Sequence, residues 1–481
     1  VIPLLGFTPD VDPMTPGAIV DCSQVVPYES GMKTAPAPVS VGLAALAADA
    51  RGAVVTRDLS NAKRFFVGTA AKLYDAGATT YTDVSRGASY SLGTDDRWSF
   101  VQFGNTTLAV NLSCVLQKST GAAFSDLTAP KALVVEQSQG FVMLFNTIEG
   151  TYGTSPDRWW CSATFDETNW VPAVSTQCTT GRLVGGSGPI TAGKRFGDDI
   201  IAYKNRSMFV GRYQGPPVVW QFTQVSYEVG CVGPEAVTDT PIGHVFVGED
   251  DIYLYDGTVP RSLTEGVCKQ WFANNVSPAY RYRCKLLWDR SNALVWVFFP
   301  SANATECDSA LVYNIVKKQW GLAAQAVQAV VNYTTPAFTY DGGSPLITTY
   351  DSGPAISFDS PFWVSGSAVP AYIGTTRLVY SLTGIAPTSS FTTGDFGDDK
   401  GQTECTQYRV RFIQAPDTAS VMGTYKYEEG TQVMTAGPTQ AKTDGKFDIR
   451  QTGRFHRFKC DMTGAAKFTA VRPKLMPAGT R

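Results

Sequence analysis

The sequence predicts an all-β protein: a β-propeller of about six blades, an irregular N-terminal arm and a C-terminal antiparallel β-sandwich or barrel-like region. Three observations predict this. Charged residues make up only 17% of the 481 residues, against a usual figure of roughly 25%, which leaves little to cover long amphipathic helices. Aromatics reach 12%, with 45 Gly and 28 Pro, the composition of short strands and frequent turns. Above all, one hairpin pattern recurs at nearly regular intervals.

The clearest copy is Gly243 to Gly257. His244 to Val247 suits a strand, Gly248-Glu249-Asp250-Asp251 a turn, Ile252 to Tyr255 a second strand, and Asp256-Gly257 a closing turn pair that tolerates positive φ. The same grammar appears at Phe65–Gly68 with Lys72–Asp75, at Phe100–Asn105 with Leu108–Asn111, and at Ile200–Asn205 with Met208–Gly211. It returns at Leu286–Asp289 with Leu294–Phe299, and Phe141–Phe145 reads as a decayed copy. Copies start near residues 64, 99, 141, 200, 244 and 285, at intervals of 35, 42, 59, 44 and 41. A four-stranded propeller blade takes roughly 40–45 residues, so only the third interval is out of line.

In chain order, residues 1–50 form the arm. Its seven prolines within the first 40 residues, Pro3 to Pro38, withhold backbone donors, so regular strand pairing is not expected there. Residues 51–335 are the propeller. Its tryptophans, including Arg158-Trp159-Trp160 and Trp170, suit packing between wedge-shaped blades. Residues 336–400 are a Gly/Ser/Thr/Asp-rich β connector in which the period is lost. Residues 401–481 are the C-terminal β domain: Tyr408, Val410 and Phe412 alternate with Gln407, Arg409, Arg411 and Ile413.

Charge is uneven. Residues 401–481 carry 13 Lys+Arg against 7 Asp+Glu, a net +6, while residues 1–400 carry 27 against 35, a net −8. The basic end suits an acidic partner subunit. No stretch of the sequence reads as a nucleic-acid-binding stripe. Ten cysteines without metal-ligand spacing read as reduced, small apolar residues. No signal peptide opens the chain and no apolar run approaches 18 residues, so neither secretion nor a membrane-spanning segment is expected.

Candidates for chemistry are few. Two histidines, His244 and His456, read as structural polar residues. No Gly-x-Ser-x-Gly, phosphate-binding or dinucleotide fingerprint occurs, and no cofactor or metal is expected. One alternative is a glycan-binding or glycan-cleaving propeller that stacks a sugar on Trp159 and Trp160 beside the carboxylates of Asp166 and Glu167.

The order of several motifs resembles the tail hub or nozzle (tail tube) proteins of short-tailed bacteriophages, the podoviruses. They are Pro3-Leu4-Leu5-Gly6, Thr15-Pro16-Gly17 with Cys22-Ser23-Gln24-Val25-Val26-Pro27, Lys72-Leu73-Tyr74, Trp98 to Asn111 and Arg158 to Trp170. The series continues through Gly215 to Phe222, the hairpin at 243–257, Tyr313-Asn314 with Trp320, and Thr393 to Asp399. Cys161 stands where the family pattern has Ser. The resemblance implies a non-catalytic virion structural protein of the phage tail, assembled in the host cytoplasm. It would form a homo-oligomeric ring, a hexamer, that continues the portal–adaptor channel for DNA ejection and anchors tail fibres or spikes. Genomic DNA would then pass transiently and without sequence preference. Acidic turns are the candidate channel-facing groups: Glu249, Asp250, Asp251, Asp395, Asp398 and Asp399.

Overall fold

The computed structural model describes residues 1–334, 368–397, 400–428, 433–442 and 445–479. It is an all-β fold of small, blade-like antiparallel sheets joined to larger ones. The only α-helix among the described residues is Lys269–Asn275.

Five four-stranded antiparallel sheets follow one another along the chain. The first comprises Gly52–Arg57, Lys63–Gly68, Leu73–Ala76 and Tyr81–Asp83. The second comprises Ser99–Phe103, Thr106–Val110, Gln117–Ser119 and Ser125–Asp126. The third runs through Lys131–Ser138, Phe141–Glu149, Gly153–Cys161 and Thr179–Arg182. The fourth holds Ile190–Phe196, Asp199–Lys204, Met208–Gly215 and Val219–Ser226. The fifth holds Val237–Thr240, Gly243–Val247, Ile252–Tyr255 and Arg261–Ser262. A sixth unit, Lys285–Asp289, Leu294–Phe299, Cys307–Asn314 and the start of Gln319–Thr334, opens a 13-stranded sheet.

The repeated hairpin falls where the alternation puts it. His244 pairs with Tyr255 and Val247 with Ile252, and Gly257 has φ +100°, a left-handed conformation that suits glycine. Phe141–Phe145 is not decayed: it lies in a nine-residue central strand that is buried from Phe141 to Thr147. Burial on both faces removes the alternation that marks a half-exposed strand. The long third interval has a local cause, the loop from Ser162 to Cys178 between the third and fourth strands of that sheet.

Apolar side chains fill the spaces between consecutive sheets. Phe66, Leu73, Trp98 and Phe124 lie between the first and second. Leu108, Val110, Leu144 and Trp160 lie between the second and third, and Phe145, Trp159, Ile200 and Trp220 between the third and fourth. The opening strands of successive sheets also pack on one another, from Gly52–Arg57 through Lys285–Asp289.

Beyond the sixth unit the sequence reading needs correcting. The period continues past residue 335. The far half of Gln319–Thr334 pairs with Ala368–Gly374, which pairs with Val379–Gly384, which pairs with Ala37–Ser40. This seventh four-stranded unit is assembled from both ends of the chain. Its core, Ala329, Val331, Tyr333 and Ile373, packs on Phe65 and Val67 of the first sheet. The strand Gln319–Thr334 thereby contacts both Lys285–Asp289 and Gly52–Arg57.

The arm is a second correction. Outside the irregular stretch 4–18, the first 40 residues form short paired strands: Ile19–Ser23 with Thr388–Thr393, Val25–Tyr28 with Gly31–Thr34, and Ile2–Pro3 with Lys467–Gly479. Antiparallel pairing leaves alternate N–H groups outside the ladder, so short strands accommodate proline at those positions. Phe7, Ile19, Val25, Val26 and Met32 are fully buried.

Two larger sheets face each other at the C-terminal end. One holds Ile19–Ser23, Thr388–Thr393, Phe455–Thr463, Thr418–Lys426 and Met434–Gln440. The other contains Gly31–Thr34, Lys467–Gly479, Gln402–Gln414 and Lys446–Gly453. Between them Tyr408 stacks on Phe458 at 4.3 Å and Phe391 on Phe468 at 4.7 Å. All ten cysteines are buried and free.

Candidate functional surfaces

The acidic turns do not share one role. Glu249 and Asp250 are exposed at the tip of the 247–252 hairpin. Glu249 is bound by Arg206, which holds its carboxyl below the usual range, and Asp250 accepts a bond from the Tyr253 hydroxyl at 3.0 Å. Asp251 is fully buried, so it cannot face a channel. It accepts from the Thr264 hydroxyl and the Ile252 N–H and pairs with Lys269 at 3.2 Å. A turn acid buried this way anchors the connection from its hairpin to the helix. Asp395 accepts from Arg457 Nε and Nη2, at 2.8 and 3.0 Å, and its N–H reaches the Pro13 carbonyl. It ties the arm to the C-terminal sheets. Asp398 and Asp399 lie outside the described residues.

Both histidines are buried. The Tyr203 hydroxyl lies 2.8 Å from His244 Nδ1, and Nε2 lies 2.8 Å from the Arg195 carbonyl. Since a carbonyl only accepts, Nε2 carries the proton. Burial lowers the pKa to about 4. His456 sits between Gln451 and Thr403, and burial lowers its pKa too. Among the described residues no group of three or more His, Cys, Asp or Glu side chains is placed to hold a metal ion.

Trp159 and Trp160 are both buried between sheets. Asp166 caps its own turn through the Thr168 N–H and hydroxyl, and Glu167 accepts from Thr106 at 3.1 Å. Next to them lies a cavity of about 700 Å³ lined by Trp160, Trp170, Ile148, Lys131, Glu149 and Asn169. Glu149 is itself engaged, accepting the Thr151 and Tyr152 N–H groups.

Two charged groupings sit on the opening strands of the sheets. Glu136, Lys194 and Asp239 come from the third, fourth and fifth sheets. Lys194 lies 3.2 Å from Glu136, which raises its pKa, and burial raises that of Asp239. A second network gathers where the chain enters those strands. Arg283 joins Asp95 at 2.5 Å and Glu306 at 2.8 Å, Lys285 reaches Glu235 at 3.2 Å, and Arg97 lies 3.7 Å from Glu306. It connects the second sheet to the fifth and sixth, which are far apart in sequence.

One surface was not legible as a site in the linear sequence. On the outer face of the C-terminal sheet, Arg409 stands directly across from Arg472 on one side and Lys446 on the other. Arg411, Arg450 and Lys474 alternate onto the same face, and Arg409, Arg411, Arg450, Arg472 and Lys474 are exposed. None of those five has an ion pair among the described residues. The signal was present as i, i+2 basic spacing in two separate segments, Arg409/Arg411 and Arg472/Lys474, with Lys446 and Arg450 flanking Asp448 in a third. Only the register brings them together.

No protein-family model and no curated protein matches the chain. Among solved structures it is similar to BBS1N in its complex with ARL6DN, at 8% identity over 73% of this chain and 98% of that one, with a TM-score of 0.41. The Pan2 WD40 domain of Neurospora crassa aligns at 8% identity over 71% of this chain and 94% of that one, TM-score 0.38. The exo-β-1,3-galactanase of Phanerochaete chrysosporium aligns at 10% over 91% of this chain and all of the other, TM-score 0.28. Similarity at this level bears on neither activity nor partners.

Proposed function

We propose that this chain is a non-catalytic structural subunit that assembles into the nozzle or hub ring of a short-tailed phage tail. Its seven four-stranded units form a closed propeller, with Gln319–Thr334 bridging the sixth unit and the first. The resemblance in motif order supports this reading. The observation that carries it is the stitching of the molecule by its first 40 residues. They add strands to the seventh unit, to the 13-stranded sheet and to the facing six-stranded sheet. A chain secured in this way keeps two modules in fixed relation under load, as a conduit for genome ejection requires. Light scattering tests it: the purified protein should show a mass near six times the 51.9 kDa of the chain. A particle that stays at 51.9 kDa with its portal and adaptor partners would overturn it.

A second reading, a glycan-binding protein, is favoured by one observation, the cavity beside Trp160 and Trp170. Binding on a glycan array that Trp170→Ala abolishes would support it. Array-wide silence from an assembled ring would count against it.

A further inference from the structure

We propose that the cationic outer face of the C-terminal sheet is the ring contact: it docks on the acidic turns of the fourth and fifth sheets of a second copy. The inference rests on the ring reading and names the surfaces that build the ring.

The face is electrostatically unfavourable in the free subunit. Arg409 has Arg472 and Lys446 as its direct cross-strand neighbours, and like charges placed opposite each other on a sheet destabilise it. Arg411, Arg450 and Lys474 add to the same field, and one acid lies among them: Asp448, opposite Gln407 and paired with Lys442. Ile413, 58% exposed, and Met476, 40% exposed, lie toward the ends of its strands, so the patch has apolar area to bury as well as charge to neutralise. Beside it opens a cavity of about 570 Å³ lined by Arg409, Arg411, Phe412, Ile413 and Lys442, with Asp417 as its acid. Its size suits a projecting turn.

The complementary surface lies on the other module. Residues 196–266 hold ten Asp+Glu against four Lys+Arg, a net −6 in sequence, of which buried Asp251 contributes nothing to the surface. Glu228 and Glu265 are exposed and have no ion pair among the described residues, and Glu249 and Asp250 project at a hairpin tip at the same end of these sheets. Patch and counter-patch sit on different parts of one chain, so a copy that engages one neighbour through each patch makes a head-to-tail contact. A head-to-tail contact generates a ring when its rotation closes.

The test compares wild type, Arg409→Glu/Arg472→Glu and that pair combined with Glu228→Arg/Glu265→Arg. Light scattering reads mass at low and high salt, and circular dichroism confirms folding. The wild type should assemble in low salt and lose mass as screening rises. The double variant should fall about sixfold in mass, and the combined variant should regain assembly. A double variant that assembles like wild type overturns the contact and leaves the ring reading standing. A wild type that is monomeric at every salt and protein concentration, even with its portal and adaptor partners, overturns both. Fluorescence anisotropy with a short DNA duplex covers the other anionic partner. If the double variant keeps its ring but loses duplex binding, the face is a nucleic-acid surface and the proposal fails.

Discussion

His244 is held neutral by its surroundings, and that has a consequence for stability. The folded protein keeps its pKa near 4, while an unfolded chain restores an ordinary value near 6.5. Between those values the unfolded state binds a proton that the native state does not, so stability falls as pH drops from about 6.5 to about 4. The shift corresponds to about 3 kcal/mol over that window. Replacing His244 with Gln should flatten this part of the acid limb in thermal melts across pH 4–7. An unchanged limb would mean that the histidine is not the group responsible. Neighbouring acids separate just as clearly. Asp251→Asn should cost about 2 kcal/mol in denaturant titration because it weakens charge-assisted bonds in a buried site. Asp250→Asn, at an exposed hairpin tip, should stay within about 0.5 kcal/mol. In the sequence these two residues look alike. Burial, which depends on the helix and strand that close over Asp251, tells them apart.

At the scale of elements, legibility followed burial and contiguity. The hairpin at 243–257 could be read because its strands are adjacent and an Asp-Gly turn closes it. Phe141–Phe145 was undervalued because a strand covered on both faces loses the alternation that identifies it. The seventh unit was missed because its outer strand, Ala37–Ser40, is about 340 residues from its partner strand Val379–Gly384, and no local pattern reports such pairing. The arm was misread because prolines argue against central strands but tolerate short strands whose free N–H positions they occupy. Phe7 provides the test. It is fully buried and meets Trp271 edge-on at 5.0 Å, so Phe7→Ala should cost about 3–5 kcal/mol. A loose arm would give a change near zero in the same chemical denaturation experiment.

For the whole molecule, the net charge of −2 conceals two opposed modules. The acidic turns were visible from the sequence. The basic face was not, because Arg409, Lys446 and Arg472 become neighbours only when three strands align. In the proposed ring their separation on one chain would give assembly a direction, and the arm fixes the modules that carry them. On this account salt should weaken assembly while leaving the fold intact, so mass and circular dichroism should respond differently to added NaCl. We propose that the protein works as a ring. Negative-stain imaging of the purified protein, alone and mixed with its portal and adaptor partners, tests it most directly. The expected image is a ring of about six copies around an open centre. Isolated single subunits in both preparations would contradict it.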